Sequence, residues 1–125
     1  MKRFINIYKI KCTPEELFIA LTNSFSIELW TGYPARYTLE KGTEFELWDG
    51  DICGRTLDYK ENEFLIQEWY FGDQEEQSIV TMKMKASGEH TKIELEHINI
   101  PDEVFEDIRT GWNEYYFGNL IKYFK

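Results

Sequence analysis

Residues 101–125 read PDEVFEDIRTGWNEYYFGNLIKYFK, and this stretch decides the fold. Apolar residues recur in it at every fourth position, which predicts one long helix. Pro101, Asp102 and Glu103 mark its start, because proline suits the first helical turn and carboxylates complement the positive end of the helix dipole. A stripe that steps by four drifts about 40° per step around an α-helix, so we expect the buried face to wind around the axis. The stripe consists of Val104, Ile108, Trp112, Tyr116, Leu120 and Phe124.

Upstream of this helix, apolar and polar residues alternate with a period of two, which is typical of β-strands with one buried face. The connections between these segments are short, and short connections favour antiparallel hairpins. Asp49 and Gly50 predict a tight turn, since glycine supplies the backbone freedom that such a turn needs. The predicted strands are Phe4 to Cys12, segments through Tyr37 and Leu39 and through Phe45 and Leu47, Arg55 to Tyr59, Phe64 to Phe71, Ser78 to Lys85 and Thr91 to Ile100.

Two short helices are predicted between the first strand and the rest of the sheet. The first runs from Pro14 to about Thr22, because Thr13 is a suitable N-cap and proline suits the first helical position. The second passes through Trp30 and ends at Gly32. Together these elements predict an α+β fold in which a curved antiparallel sheet wraps around a long C-terminal helix. We expect residues 1–125 to form a single domain.

The composition limits the classes of function. Asp and Glu number 23 against 14 Lys and Arg, for a net charge of −9, and such a charge repels the phosphates of nucleic acids. Lysines at short intervals in the N-terminal MKRFINIYKIK exclude a membrane-spanning segment or signal-peptide core there. Two cysteines, Cys12 and Cys53, are too few for a disulfide framework. We therefore expect a soluble cytoplasmic protein that neither inserts into membranes nor binds nucleic acid.

No catalytic motif is present, and the functional argument rests on the aromatic residues. They make up 17% of the chain, and an aromatic-rich interior is either a dense core or the lining of a pocket. Two histidines cannot supply a histidine-rich metal site, and no pattern indicates a cofactor. We predict that a cavity between sheet and helix is lined by Trp30, Tyr37, Phe45, Leu47, Trp69, Met82, Met84, Leu95, His97, Ile108, Trp112 and Tyr116.

Two polar residues in the predicted strands have more than one interpretation. His97 lies at strand spacing from apolar neighbours and should point inward, where a hydrogen-bonded core histidine is favoured over a general base or a ligand contact. Glu68 is a candidate acid or base if it is buried, because burial raises the pKa of a carboxyl group. We favour a solvated Glu68, with Trp69 on the interior face.

The C-terminal helix also leaves two questions open. Gly111 and Gly118 lie on nearly the same face, and each costs roughly 1 kcal/mol relative to alanine in a helix. Either they allow close approach of the helix to a neighbouring element, which we favour, or they leave room for a ligand. Phe117, Ile121 and Phe124 form a second apolar set, which is either buried, as we favour, or an exposed patch for a partner.

Several segments match one known family in order and spacing. They are TPEELFIALT at 13–22, a helix ending in Trp30, GTEFELWDGDICG at 42–54, residues 64–69, TKIELEHINIP at 91–101 and GWNEYYFGNLIKYF at 111–124. Over almost its whole length the sequence resembles the bacterial relatives of the C-terminal domain of the activator of the 90-kDa heat-shock protein ATPase. That family belongs to the START-related (SRPBCC) superfamily, and the resemblance implies a helix-grip fold with a hydrophobic cavity between the sheet and the long helix.

Three functions follow as hypotheses. The first is a binding protein whose cavity takes an apolar or aromatic small molecule. The second, which the resemblance implies, is an interaction module that acts on a chaperone or a similar protein. The third is an enzyme of the cyclase or dehydratase kind found elsewhere in the superfamily, with His97 or a buried carboxylate as the acid or base. We favour them in that order.

Overall fold

The structure is a computed structural model that describes residues 1–74 and 76–125. Its strands are β1 (Lys2–Ile10), β2 (Glu44–Leu47), β3 (Ile52–Lys60), β4 (Phe64–Trp69), β5 (Ser78–Ser87) and β6 (His90–Ile100). All neighbours are antiparallel, and the order across the curved sheet is β1-β6-β5-β4-β3-β2. The predicted α+β fold, a sheet wrapped around a long C-terminal helix, is confirmed.

The segment through Tyr37 and Leu39, which we predicted as a strand, is not one. Its backbone pairs with the sheet through an isolated bridge between Arg36 and Glu46. The Tyr37 N–H donates to Ser24 Oγ at 2.7 Å, and Ser24 Oγ donates to the Tyr37 carbonyl at 3.0 Å. A helix side chain thus takes both backbone hydrogen-bonding groups that a strand would offer to its neighbour.

The turn between β2 and β3 is longer than a two-residue hairpin. Leu47 pairs with Ile52, so residues 48–51 form the connection, which is a left-handed turn closed by the Asp51 N–H donating to the Trp48 carbonyl at 3.1 Å. Trp48, Asp49 and Gly50 all have positive φ, at 50°, 54° and 96°. A positive φ is rare for a bulky residue and costs about 1–2 kcal/mol. The Trp48 side chain is therefore held at this end of the sheet by a strained backbone conformation.

The two short helices have the predicted bounds within one or two residues. Helix α1 (Pro14–Thr22) begins with a capping box, in which Thr13 Oγ1 accepts from the Glu16 N–H and Glu16 Oε1 accepts from the Thr13 N–H. Helix α2 (Ser24–Thr31) is capped by the Asn23 side chain and ends at Gly32, whose φ is 80°. Both helices lie between β1 and β2 in the chain.

The C-terminal helix is continuous but not uniform. After a 3₁₀ turn at Asp102–Val104 it runs as α3 (Phe105–Thr110), a π-helical segment (Gly111–Tyr116) and α4 (Phe117–Tyr123). In an α-helix, a step of four residues slightly exceeds one turn, so the buried stripe rotates around the axis. In a π-helix each turn holds more than four residues, so the same step falls short of one turn and the stripe rotates back. The buried face of the helix therefore winds less than we predicted, and Trp112, Tyr116 and Leu120 are all buried.

Gly118 is explained by the π-helical segment. A Cβ at Gly118 would lie 2.9 Å from the Asn113 carbonyl oxygen, one i→i+5 turn earlier. Real Cβ atoms do not approach a backbone oxygen so closely, and this oxygen is fixed by its place in the helix. The close approach that we favoured thus occurs within the helix itself rather than against a strand or a short helix.

The core lies between one face of the sheet and the three helices. On β1, Phe4, Tyr8 and Ile10 point into it, whereas Ile5 and Ile7 are about half exposed on the opposite face. Phe117 stacks on Tyr8 with 4.2 Å between ring centroids. The second half of the C-terminal helix is thereby fixed to the first strand. Within the described residues, no helix has the length and apolarity needed to cross a membrane.

Candidate functional site

A cleft of about 690 Å³ lies between the first half of the C-terminal helix and one end of the sheet. The turn after β2, together with β3 and β4, forms one wall, and α3 with the π-helical segment forms the other. This volume is within the range of small-molecule sites. The lining residues are Tyr33, Trp48, Asp51, Ile52, Trp69, Asp107, Ile108, Gly111, Trp112, Tyr115 and Tyr116.

Two stacked indoles form the buried part of the cleft wall, which we call the indole floor. The ring centroids of Trp69 and Trp112 lie 4.6 Å apart, with an interplanar angle of 23°. The two side chains are 3% and 1% exposed. Such a pair contributes attraction beyond its buried area. The orientation of each ring is set by a hydrogen bond from its N–H into the core.

A chain of buried polar groups holds Trp69. Its Nε1–H donates to Gln67 Oε1 at 2.9 Å, and Gln67 Nε2 donates to the Tyr37 hydroxyl at 3.1 Å. The Tyr37 hydroxyl lies 2.7 Å from Thr56 Oγ1. Burial raises the pKa of Tyr37, so this phenol stays neutral. Every member is buried and hydrogen-bonded, as a stable polar network in a core requires.

A second chain holds Trp112 through His97. Trp112 Nε1–H donates to His97 Nδ1 at 3.0 Å, so the imidazole proton is on Nε2, which donates to Ser78 Oγ at 2.7 Å. Ser78 Oγ in turn donates to the Ile98 carbonyl at 3.2 Å. Burial lowers the pKa of His97 to about 3. His97 is therefore a neutral structural residue with both ring nitrogens engaged, and it does not line the cleft.

The outer part of the cleft is also aromatic. Tyr33 and Tyr115 are 55% and 58% exposed. Trp48 is half-buried between them and the core, with its ring centroid 5.8 Å from that of Tyr116 and edge-on to Trp30 at 5.6 Å. A molecule that entered the cleft would therefore meet aromatic rings on both walls.

The charged residues of the cleft are all acidic. Asp51 and Asp107 are exposed and come from opposite walls. Neither forms an ion pair with any residue that the structure describes. The lining contains no Lys, Arg or His. The site therefore has a negative potential that nothing in its own lining neutralises.

Tyr116 connects the cleft to the core. It lines the cleft, is only 2% exposed, and packs against Trp112 with 4.6 Å between ring centroids. Burial, with the nearby Tyr37 phenol, raises the pKa of Tyr116. Within the described part of the chain, no hydrogen bond involves its hydroxyl. The side chain is buried, but its hydroxyl oxygen is not among the fully buried polar atoms that lack a partner, so it is open to the cleft and is a candidate contact for a ligand.

Gly111 gives the cleft part of its space. A Cβ added at Gly111 would meet no atom within 4 Å, and its φ of −58° is ordinary helical geometry. Alanine would therefore fit without strain and would suit a helix better. Gly111 has open space beside it, as the interpretation that we did not favour requires, whereas Gly118 shows the close approach that we favoured.

Four of the twelve residues that we predicted for the cavity wall line the cleft, and eight do not. Those in the lining are Trp69, Ile108, Trp112 and Tyr116. The other eight are buried in the packed core, where Tyr37 and His97 support the indole floor. These eight are Trp30, Tyr37, Phe45, Leu47, Met82, Met84, Leu95 and His97. Contact of any of the twelve with a ligand stays a prediction.

Sequence reasoning missed the outer half of the cleft. Strand and helix periodicity selects residues that point fully inward, whereas this half is built by partly exposed residues in turns and on the helix flank. A tryptophan in a turn was the available signal, because turns rarely carry large apolar residues. The missed residues are Tyr33, Trp48, Asp51, Ile52, Asp107 and Tyr115, whereas Gly111 was considered as the less favoured alternative.

The remaining open residues have simple environments. Trp69 faces the interior as expected. Glu68 lies on the other face, but its side chain is only 14% exposed and pairs with Arg55, Oε1 to Nε at 2.8 Å, so it is not the solvated residue that we favoured. Of the second apolar set on the helix, Phe117 is fully buried, Phe124 is partly buried and Ile121 is 39% exposed. The three residues therefore do not form a continuous exposed patch.

Comparison with solved structures supports the fold. The chain matches the crystal structure of an HSP90 activator from Plasmodium falciparum with a TM-score of 0.87 and 26% identity, over 95% of this chain and 93% of that one. It also matches the solution structure of the Aha1 dimer from Colwellia psychrerythraea, with a TM-score of 0.83 and 14% identity, over 96% and 94% of the two chains. At that identity the likeness shows the fold alone.

Sequence comparison gives the family. The chain is 27% identical over 114 residues to the human "Activator of 90 kDa heat shock protein ATPase homolog 1", covering 90% of this chain and 34% of the human protein. It thus spans about a third of that relative's length. The family profile described as "Activator of Hsp90 ATPase homolog 1-like protein" matches residues 11–125. The chain belongs to this family of activator of Hsp90 ATPase homolog 1-like proteins.

Proposed function

We propose that this protein binds a small molecule with an apolar or aromatic body in the cleft. The observation that carries the proposal is a rigid aromatic floor beneath open space. Trp69 and Trp112 are held by hydrogen bonds from the core, so their rings do not have to be ordered when a ligand arrives. Preorganisation of this kind lowers the entropic cost of binding.

The backbone at the cleft supports the same proposal. Trp48 has a φ of 50°, which is strained for a tryptophan. Strained residues persist where the surrounding structure fixes them, and they cluster at binding sites. Gly111 opposite leaves space that alanine would occupy without a clash. The sheet-side wall thus contains a strained residue, Trp48. The helix-side wall contains Gly111, which stabilises a helix less than alanine but leaves the cleft open.

The test is a binding titration with 2-phenylethanol, a neutral aromatic probe, followed by tryptophan fluorescence. Trp48, Trp69 and Trp112 line the cleft, so occupancy should change the emission. For a probe of this size we expect a dissociation constant of about 1 mM or below. Gly111→Leu should abolish binding, because its side chain would occupy the cleft.

The matched control is Thr110→Leu. Thr110 is exposed, precedes Gly111 in the same helix, and does not line the cleft. This variant adds the same side chain one position away and should bind the probe as the unmodified protein does. Equal binding by the Gly111→Leu variant would contradict the proposal, as would the absence of binding across a panel of neutral aromatic and aliphatic probes.

A second candidate function is action on an Hsp90-type chaperone, which family membership favours. The human relative is named an activator of the 90 kDa heat shock protein ATPase, and the Plasmodium structure is described as an HSP90 activator. This chain covers 93% of the Plasmodium protein, so the two share almost all of the fold. The chain covers only about a third of the human protein, so the activity of that whole protein is carried over here as a proposal alone.

This second function is tested by the ATPase rate of an Hsp90 homologue from the same organism, measured with and without the protein. Stimulation that saturates with protein concentration is the expected result. The Gly111→Leu variant shows whether the cleft takes part, since it blocks the cleft while leaving the outer surface intact. An unchanged ATPase rate, together with no complex in sedimentation velocity, would rule this function out for that chaperone.

A further inference from the structure

The charges of the cleft narrow the class of ligand. Asp51 and Asp107 come from opposite walls, and both are exposed carboxylates without a cationic partner in the described residues. The basic side chains that do form ion pairs are engaged elsewhere on the surface, for example Arg109 with Glu106 at 2.7 Å and Lys41 with Asp58 at 2.9 Å. The negative charges of Asp51 and Asp107 are therefore available to a cationic ligand.

The aromatic residues of the cleft favour the same sign of charge. Six of the eleven lining residues are aromatic, namely Tyr33, Trp48, Trp69, Trp112, Tyr115 and Tyr116. The face of an aromatic ring attracts cations, tryptophan most strongly, and the attraction rises when the cation is partly desolvated. An anion would meet both the ring faces and the two carboxylates unfavourably. Rings and carboxylates thus select against anions by two independent effects.

Tyr116 adds an observation that depends on neither charge nor ring stacking. Its side chain is 2% exposed and lines the cleft, and no hydrogen bond in the described part of the chain involves its hydroxyl. The phenol oxygen can accept a hydrogen bond from an N–H group. Ammonium and guanidinium groups carry such donors, so they would satisfy a polar group that the protein leaves without a partner.

We infer that the ligand of the cleft is a small organic cation, an ammonium or guanidinium group on an apolar or aromatic body. The inference rests on the proposed small-molecule function and specifies its ligand class. The body would lie between the accessible rings of Tyr33, Trp48 and Tyr115, which the indole floor supports from beneath, and the cationic group would lie toward Asp51 and Asp107.

The experiment compares three probes that share one body and differ in charge: 2-phenylethylammonium, 2-phenylethanol and 3-phenylpropanoate. Tryptophan emission is the readout, since a phenyl group does not absorb at the wavelength that excites indole selectively. We expect the cation to bind about tenfold more tightly than the alcohol, and the anion to bind least. The Asp51→Asn/Asp107→Asn double variant should lose this preference and keep its affinity for 2-phenylethanol.

The control removes two carboxylates outside the cleft. Glu40 and Glu89 are exposed, do not line the cleft, and form no ion pair with a described residue. The Glu40→Gln/Glu89→Gln variant has the same net charge as the double aspartate variant. It should keep the preference for the cation, which separates a local effect from the general attraction of an acidic protein.

Four other results would overturn the inference that the ligand is a small organic cation. Equal binding of cation and alcohol, or a preference that survives in the double aspartate variant, would overturn the inference and leave the proposed function standing. Binding of none of the three probes would overturn both. Binding of acetyl-Gly-Lys-Gly-amide without binding of 2-phenylethylammonium would also overturn the inference, because the cleft would then serve a basic side chain of a protein partner.

Discussion

The buried centre of the molecule around His97 and the cleft at the end of the sheet share the same two tryptophans. Trp69 and Trp112 donate their N–H groups to Gln67 and His97 in the centre, and both side chains also line the cleft. In the centre, every polar side chain in the two hydrogen-bond networks, through Gln67 and through His97, has a partner. In the cleft, the carboxylates of Asp51 and Asp107 and the Tyr116 hydroxyl have none among the described residues.

This difference shows how one set of aromatic residues can both fill a core and line a site. Ring size and hydrophobicity are the same in the two regions. What separates them is local to one end of the sheet: Trp48 lies in a turn with positive φ, and Gly111 has no side chain to fill the open space beside it. The sealed centre supports the open cleft, because it fixes the indole floor.

The largest expected effect comes from breaking the shared element. Trp112→Ala removes a fully buried indole and leaves His97 Nδ1 without its donor. We expect a loss of about 3–5 kcal/mol in the free energy of unfolding, as is usual for a truncated buried tryptophan. Denaturant titration measures it. Tyr115→Ala, at a cleft residue that is 58% exposed, should change stability by no more than about 0.5 kcal/mol. Similar losses in the two variants would contradict the distinction between centre and cleft.

The second prediction concerns pH and separates the two histidines. The pKa of His97 falls to about 3 in the folded protein, against about 6.5 in an unfolded chain. The unfolded state therefore takes up a proton first as the pH falls, so the contribution of His97 to stability is complete above pH 6.5 and is lost below it. Between pH 7 and pH 5 this loss should be about 2 kcal/mol.

The pH prediction is measured by comparing stability curves of variants, so that the titration of carboxylates cancels. His97→Gln should be less stable at pH 7 and should have a shallower slope between pH 7 and pH 5 than the unmodified protein. His90→Gln, at the exposed first position of β6, is the control and should keep the original slope. A slope that disappears in the His90 variant but not in the His97 variant would overturn this account of the centre.

The smallest effect sharpens the comparison within one helix. Gly118→Ala would place a Cβ 2.9 Å from the Asn113 carbonyl, and we expect it to cost about 1–2 kcal/mol. Gly111→Ala meets open space and should instead stabilise the protein by about 0.5–1 kcal/mol. Thermal unfolding of both variants measures the difference. Two changes of the same sign would show that the two glycines do not differ in the way described.

The fold could be predicted from the sequence largely because its signals are local. Thr13 and Glu16 give a capping box, Gly32 gives a helix end, and alternation along β5 and β6 shows which face is buried. The error at Tyr37 has a tertiary cause, since Ser24 takes the backbone groups of a segment whose alternation looks like a strand. Periodicity does not reveal such a competitor.

The cleft was harder to predict than the fold. Its floor was found, because Trp69 and Trp112 lie on inward-facing positions of a strand and a helix. The other wall residues depend on a positive φ at Trp48 and on a π-helical segment, and neither is encoded in hydrophobic periodicity. The aromatic content indicated that rings would either fill the core or line a pocket. Which rings line the cleft depends on the backbone geometry.

The most direct test of the central claim is a nuclear magnetic resonance titration that follows the four indole N–H signals. The N–H groups of Trp30, Trp69 and Trp112 donate to core acceptors, whereas that of Trp48 has no partner among the described residues. We predict fast hydrogen exchange for Trp48 alone, and the largest shift of its signal when 2-phenylethylammonium is added. Uniform protection of all four signals, with no shift at saturating probe, would contradict a sealed centre beside an open cleft.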